Sequence, residues 1–176
     1  MNKTNYLVKI GVLSAIAFIL QFAGNMIPKV AGFLEIEFSD FPAVIGALSL
    51  GPVAGIMIEL IKNLLHFPIS TTGYVGEFAN FVVNGSFVLV TGLFYKFNKT
   101  KKGAIIALIL GSLIMPLAAA AVNYFIMLPL YMPSASSIIK FNLVATTITP
   151  FNFARAVILS LITIFSYKRL SPILHK

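Results

Sequence analysis

Hydrophobic residues form long stretches along this chain, and few polar residues interrupt them. The stretches predict α-helices at 6–24, 41–50, 52–67, 75–96, 103–130 and 150–168. Most of them approach or exceed the ~20 residues that an α-helix needs to cross a bilayer. The pattern therefore predicts an all-α integral membrane protein with six transmembrane helices, folded as a single domain over residues 1–176.

Glycine, proline and hydroxyl residues predict where these helices end or bend. Gly51 and Pro52 separate the second and third helices, because proline cannot continue a helix and glycine permits a sharp turn. Pro116 is expected to kink the long fifth helix. The segment 131–148 is rich in serine and threonine, and we expect it to be a loop before the last helix.

The basic residues indicate how the helices are oriented. They cluster near the N-terminus, at 96–102 and after residue 167, and they give the chain a net charge of +8. The positive-inside rule places all three clusters in the cytoplasm. Four predicted helices precede the basic loop and two follow it, so both termini lie inside, and the segments 25–40, 68–74 and 131–148 lie outside.

Composition supports a membrane protein and narrows its chemistry. Hydrophobic residues make up 59% of the chain and charged residues 10%, against about 45–50% and 25% in soluble domains. The sequence has no cysteine, no Walker A motif for ATP and no HExxH zinc motif. A membrane-embedded enzyme with Glu59 or Glu77 as acid or base is one alternative, but no nucleophile or metal site accompanies them. We expect no enzymatic activity and no cofactor.

Polar residues recur on one face of the third predicted helix. Glu59, Lys62, Asn63 and His66 follow the spacing i, i+3, i+4, i+7. Glu59 and Lys62 can pair with each other, so the sequence leaves open whether they are structural or functional. His66 is expected to be an interfacial residue at a helix end.

A second group of intramembrane polar residues has the chemistry of a ligand site. Each asparagine carries both donors and an acceptor, which suits the alternating N–H and C=O edge of a planar ligand. An intramembrane ionisable residue indicates a functional site by default, although asparagines also tie helices together. The group comprises Glu77, Asn80, Asn84, Asn123, Asn152 and Arg155, and the aromatic residues near it that can stack on a ring are Phe78, Phe81, Tyr124, Phe125, Phe151 and Phe153.

The first helix carries a candidate contact surface for a partner. Gly11 and Ala15 are four residues apart, and small residues at this spacing let helices approach closely. Packing within the same bundle is the alternative. Since the chain lacks an ATP-binding motif and repeated halves, a transport function requires a partner that supplies the energy.

Four stretches together resemble the riboflavin-specific substrate-binding (S) components of energy-coupling factor (ECF) transporters. They are "IEFSDFPAVIGALSLGPVAGIMIELIKNLLH", "GEFANFVVNG", "NYFIMLPLY" and "TPFNFARAV". The resemblance implies a six-helix S-component fold in the cell membrane of a prokaryote, and capture of riboflavin from the outside. It also implies delivery through a transmembrane coupling subunit (EcfT type) and two ATPase subunits (EcfA type). In isolation we expect a monomer.

The resemblance also implies roles for individual residues. Asn123, Asn152 and Arg155 match positions that hold the isoalloxazine edge, although the family pattern is Asn-x-x-Lys where this chain has Asn-x-x-Arg. The loop from Leu34 to Asp40 resembles the lid over the ribityl chain. The resemblance implies weaker ligand roles for Glu77, Asn80 and Asn84. It implies a partner-docking role for Gly11 and Ala15.

Another vitamin on the same fold is the nearest alternative. Thiamine is a cation, and Arg155 disfavours it; pantothenate is an anion that Arg155 suits, but it lacks a planar edge for the asparagines. A scaffold or channel subunit without a small ligand is a further alternative, and normal behaviour of alanine variants at Asn152 and Arg155 would favour it.

Overall fold

Helices account for most of this protein. The computed structural model describes residues 2–24, 26–27, 34, 38–70 and 73–175. Within these residues the helices are α1 (Lys3–Gly24), α2 (Phe41–Leu50), α3 (Pro52–His66), α4 (Gly73–Phe97), α5 (Lys101–Val122), α6 (Leu128–Tyr131), α7 (Ser137–Leu143) and α8 (Thr149–His175). A 3₁₀ turn, Phe67–Ile69, follows α3, and π-helical turns, Asn123–Met127 and Val144–Ile148, join α5 to α6 and α7 to α8.

The prediction of an all-α membrane protein is confirmed. Five helical segments are long and apolar enough to span a membrane, and they are Lys3–Gly24, Pro52–Ile69, Tyr74–Phe97, Lys101–Tyr131 and Ser137–Tyr167. The remaining predicted helix, α2, is also apolar but has only 10 residues. Large hydrophobic side chains are exposed along the outer surfaces of the bundle, among them Ile19, Ile109 and Phe165. Such a surface suits lipid rather than water.

The predicted loop at 131–148 is wrong for most of its length. Helix α7 begins at Ser137, after Ser136, whose hydroxyl accepts a hydrogen bond from the Ile139 N–H at 3.4 Å. The hydroxyl of Thr146 donates to the carbonyl oxygen of Asn142 at 2.8 Å. Because hydroxyl side chains can bond back to their own helix in this way, richness in serine and threonine did not indicate a loop here.

The irregular part of the fifth span lies beyond Pro116. This proline is inside α5, whereas the departure from α-helical geometry comes at the π-helical turn that begins with Asn123. A second π-helical turn ends at Ile148, immediately before α8. Single π-helical turns are frequent at functional sites, and these two lie next to the asparagines that the sequence singled out.

A tight turn joins α2 to α3, as the sequence predicts. Gly51 has φ of 107°, which side chains with a Cβ rarely adopt. Its N–H donates to the carbonyl oxygen of Ala47 at 3.1 Å and closes α2, and Pro52 then begins α3. The turn lets α2 and α3 pack side by side.

The core is built around α4. This helix packs against α3 and α5, α5 packs against α8, and α1 and α2 pack against α3. Phe87, Val88, Ile58 and Met115 are fully buried at the centre of these contacts. The packing brings the outer ends of α1, α4, α5 and α8 around one cavity.

Candidate functional site

The cavity at the outer end of the bundle contains most of the polar residues singled out above. It encloses about 130 Å³. Its walls come from α1, α4, the turn after α5, and α8, with one loop residue. The lining residues are Gln21, Leu34, Gly76, Glu77, Ala79, Asn80, Val83, Asn84, Asn123, Met127, Phe151, Asn152 and Arg155.

Two asparagines on one wall are held by their own helices. The Asn123 side-chain nitrogen donates to the carbonyl oxygen of Ala119 at 2.8 Å, and the Asn152 nitrogen donates to that of Ile148 at 2.9 Å. Each amide therefore has a fixed orientation and retains its Oδ1 and one N–H for other partners. Both hydrogen bonds involve residues at the two π-helical turns, which thereby help to shape the site.

The opposite wall carries a hydrogen-bonded set of polar residues from three helices. Glu77 accepts a bond from the Gln21 nitrogen at 3.2 Å and lies 2.9 Å from Nδ1 of His66. On the same helix as Glu77, the side-chain nitrogen of Asn84 donates to Oδ1 of Asn80 at 2.9 Å. These bonds tie α1 and α3 to α4 at the cavity.

Two polar atoms of the cavity have acceptor capacity left over. Oε1 of Gln21 and Oδ1 of Asn84 are buried and accept no hydrogen bond from the residues that the structure describes. Both residues line the cavity and are about 1% exposed. Since a buried acceptor without a partner costs free energy, these two atoms are suited to the donors of a polar ligand.

Arg155 forms an ion pair behind the cavity. Its Nη2 lies 2.6 Å from Oδ2 of Asp40, which precedes α2. The Arg155 side chain is 14% exposed, and that of Asp40 is 1% exposed. The guanidinium therefore reaches the cavity with its charge already compensated by a buried carboxylate.

Asp40 also binds a second cation. Its Oδ1 lies 2.7 Å from Nζ of Lys62, which in turn lies 2.8 Å from Oε2 of Glu59 and donates to the Ser39 hydroxyl at 3.1 Å. The two carboxylates and two cations form a cluster of zero net charge, which we call the buried charge cluster (Asp40, Glu59, Lys62 and Arg155). Pairing is what makes such burial tolerable.

The cations determine the ionisation of Asp40, which lies outside the membrane-spanning helices. Burial on its own raises the pKa of this carboxyl. Arg155 and Lys62, through their charges and hydrogen bonds, outweigh burial and leave the pKa of Asp40 below its ordinary value. The carboxylate therefore stays ionised.

The structure brings together seven of the eight ligand residues expected from the sequence: Leu34, Glu77, Asn80, Asn84, Asn123, Asn152 and Arg155. Asp40 is not among the lining residues and lies behind Arg155. The other acidic residues of the expected lid, Glu35 and Glu37, lie outside the described residues. The individual ligand roles remain predictions.

Other expectations at the site have mixed outcomes. The Glu59–Lys62 pair is confirmed. His66 is the last residue of α3, as expected, and it is 3% exposed because it packs inside the bundle beside Glu77; its interfacial position remains a prediction. Of the six candidate stacking residues, Phe151 lines the cavity, whereas Phe78, Phe125 and Phe153 are exposed on the outside of the bundle.

Gln21 is a site residue that sequence reasoning missed. It lies in a stretch of α1 that is otherwise almost wholly apolar, and this isolation in a membrane helix is the signal that could have found it. The predicted partner-docking residues, Gly11 and Ala15, lie on the same helix and are exposed. Their docking role remains a prediction.

Comparisons with known proteins identify the family. The chain matches the family described as ECF transporter, substrate-specific component, over residues 5–167. It is 37% identical to the riboflavin transporter RibU of Staphylococcus aureus, over 100% of this chain and 95% of that protein. It is 34% identical to the riboflavin transporter FmnP of Bacillus subtilis, over 97% of this chain and 94% of that protein.

A solved structure agrees with these matches. It is described as the S component of a bacterial ECF transporter, and it superposes with a TM-score of 0.84 at 35% identity, covering 99% of this chain and 100% of the other. This likeness extends over the whole fold, including the helices that build the cavity. The chain is thus a multi-pass membrane protein that belongs to the substrate-specific components of ECF transporters, a family of transport proteins rather than enzymes.

Proposed function

We propose that this chain binds riboflavin in the outer cavity and delivers it to an ECF module. The observation that carries the proposal is the convergence of Asn123, Asn152 and Arg155 on one cavity, at positions where the chain resembles riboflavin-specific S components. Relatives over its full length that bear the name riboflavin transporter support the same ligand.

The chemistry of the cavity suits the uracil-like edge of a flavin. That edge alternates carbonyl oxygens with an N–H, and the amides of Asn123 and Asn152 supply both donors and acceptors. Arg155 adds a planar donor group in place of the lysine of the family pattern. Because Asp40 already compensates the charge of Arg155, the site does not require a negatively charged ligand.

The other side of the cavity suits a polyol chain. Riboflavin carries ribityl hydroxyls, which can donate to the buried acceptor atoms of Gln21 and Asn84. Glu77, which accepts a hydrogen bond from Gln21, adds a carboxylate to the same cavity. We propose that the aromatic ring lies toward α8 and the ribityl chain toward α1 and α4.

Delivery requires partners that the chain does not contain. We propose a transmembrane coupling subunit that contacts α1 around Gly11 and Ala15, and two ATPase subunits that supply the energy. Both small residues are exposed, and among the described residues no side chain lies within 4 Å of a Cβ built on Gly11. Such a surface allows another helix to approach closely.

Titration of the purified protein with riboflavin tests the ligand and the site together. Flavin fluorescence should be quenched on binding and should saturate. Asn123→Ala and Asn152→Ala should each weaken binding by about five- to 140-fold, because a lost hydrogen bond to a buried partner costs about 1–3 kcal/mol and each 1.4 kcal/mol is about tenfold. Asn142→Ala, which changes an exposed asparagine on α7, is the matched control and should bind normally.

The possible results distinguish the identity of the ligand from its position in the cavity. Unchanged affinity in both Asn123→Ala and Asn152→Ala would reject the proposed placement of the ring. No quenching by the parent protein would reject riboflavin, and the same titration with thiamine and pantothenate would then identify another vitamin on this fold.

A further inference from the structure

A second pair of cavities lies at the opposite end of the bundle from the proposed flavin site. They enclose about 290 Å³ and 220 Å³, and they share Leu48, Tyr95 and Lys99 as a common wall. The larger one lies at the turn between α2 and α3, and the smaller one lies at the start of α5. This is the end that the positive-inside rule places in the cytoplasm. We call the pair the inner cavities.

The lining of the inner cavities is basic and contains no carboxylate among the described residues. Lys96 and Lys99 line the larger cavity, and Lys99 and Lys101 line the smaller one. All the acidic residues of the chain lie at or before Glu77, in the outer half or in the outer loop. The charge of these lysines is therefore not compensated locally, in contrast to the buried charge cluster around Asp40.

A buried hydroxyl in the larger cavity also lacks a partner. Ser49 is 8% exposed and lines this cavity, and its Oγ makes no hydrogen bond with the part of the chain that the structure describes. A serine hydroxyl in a helix can bond back to its own backbone, and here it does not. The wall of this basic cavity therefore contains a buried hydroxyl whose hydrogen-bonding capacity the described residues leave unused.

Further donors surround the smaller cavity. The hydroxyl groups of Tyr95 and Tyr167 are hydrogen-bonded to each other in its wall. The first turn of α5 begins there at Lys101, capped by Thr100, and the N-terminal end of a helix attracts anions. Lysines, hydroxyls and a helix N-terminus together form a site for a phosphate group.

Apolar surface adjoins these donors and points to a lipid rather than to a free anion. The smaller cavity is lined by Leu108, Ile105 and Ile164. The exposed side chains of Phe94 and Phe97 lie at the same end of α4 as Lys96. A headgroup in the cavities would leave its acyl chains against this surface. Inner leaflets rich in anionic lipid attract basic segments, and basic pockets between membrane helices bind lipid headgroups.

We propose that the inner cavities bind the phosphate-bearing headgroup of an anionic phospholipid from the cytoplasmic leaflet. Lys99, which lines both cavities, contacts the phosphate, and Ser49 donates to the headgroup. The lipid anchors the α2–α3 turn and the start of α5 at the membrane surface.

Native mass spectrometry of the full-length protein from micelles with equal amounts of phosphatidylglycerol and phosphatidylcholine tests this site. The protein should retain phosphatidylglycerol at least fivefold over phosphatidylcholine. Lys99→Gln should reduce that retention at least fivefold. Lys102→Gln, which removes the same charge from a nearby residue in the first turn of α5 that lines neither cavity, should retain the lipid as the parent does.

A second variant tests the cavity rather than the charge. Ser49→Leu places a larger apolar side chain in the larger cavity and should also reduce retention of phosphatidylglycerol at least fivefold. Thermal unfolding of each variant checks that it is folded, and Lys99→Gln, at an exposed position, remains the decisive variant if Ser49→Leu does not fold.

Three results would overturn the proposal. One is equal retention of the two lipids, and another is an equal loss in Lys102→Gln and Lys99→Gln, which would indicate a non-specific charge effect. The third is displacement of phosphatidylglycerol by inorganic phosphate at the concentration of the lipid, which would make the ligand a free anion.

Discussion

Asp40 connects two cations that come from different helices. Its two carboxylate oxygens bind Lys62 of α3 and Arg155 of α8 separately. Both contacts are buried, so water cannot replace the carboxylate if its charge is removed. One small change at this residue should therefore affect the stability of the bundle and the position of Arg155 in the proposed flavin site.

Asp40→Asn keeps the shape of the side chain and removes its charge. It should destabilise the protein by about 3–5 kcal/mol, the usual cost of breaking a buried ion pair, and thermal unfolding in detergent measures this. Ser39→Ala removes the hydrogen bonds of one hydroxyl to Lys62 and Asp40 but no charge, and it should cost about 1.5–3 kcal/mol. Equal effects of the two variants would contradict the ion-pair role of Asp40.

Single residues show which contacts the sequence could predict. Glu59 and Lys62 are three positions apart on one helix, and helix geometry alone indicated their pairing. Asp40 and Arg155 are 115 positions apart, and no local rule relates them. The asparagines were predicted as ligand groups from their chemistry, whereas their hydrogen bonds to their own helices are visible only in the three-dimensional structure.

At the scale of elements, two glycines have opposite surroundings. A Cβ built on Gly11 of α1 would meet no other part of the described structure within 4 Å. A Cβ built on Gly111 of α5 would lie 2.3 Å from Oγ1 of Thr91 and 2.8 Å from Phe87, where α5 packs closely against α4. The first position can accept a large side chain without disturbing the bundle, and the second cannot.

Gly11→Leu should leave folding and riboflavin binding unchanged and should abolish uptake in cells that contain the partner subunits, because it blocks close approach of another helix. Ala15→Leu should behave in the same way. Uptake of labelled riboflavin and binding to the purified variants measure the two properties. Gly111→Leu is the contrasting variant and should fail to fold. Loss of binding in Gly11→Leu would mean that this face packs within the bundle.

The lengths of the hydrophobic stretches predicted where the helices begin and end, wherever few polar residues interrupt the stretch. The predicted loop at 131–148 was wrong because serine and threonine are tolerated in a helix that satisfies their hydroxyls internally, as Thr146 shows. The π-helical turns at Asn123–Met127 and Val144–Ile148 add one residue to a helical turn, and no pattern in the sequence indicates such a turn. These turns help to direct the side chains of Asn123 and Asn152 toward the cavity.

At the scale of the whole molecule, the fold class was predictable and the site was predictable in part. Hydrophobic runs gave the order of the long helices and basic clusters gave their expected orientation, whereas the short helices α6 and α7 were not predicted as separate helices. The sequence did not reveal which helix faces meet, because every face of a membrane helix is largely apolar. Gln21 was missed although its isolation in an apolar helix was a signal, and Asp40 was assigned to the lid rather than to the buried charge cluster.

The volume of the outer cavity has a consequence for the rate of binding. It encloses about 130 Å³, whereas pockets for ligands of this size have about 300–1,000 Å³. We therefore expect riboflavin to enter through a wider form of the protein than the one described. In stopped-flow fluorescence the observed rate should level off as riboflavin is raised, at the rate of opening, and a strictly linear dependence up to high concentration would contradict this. At high riboflavin concentration, the association rate would then be limited by a conformational change of the protein and not by the concentration of riboflavin outside the cell.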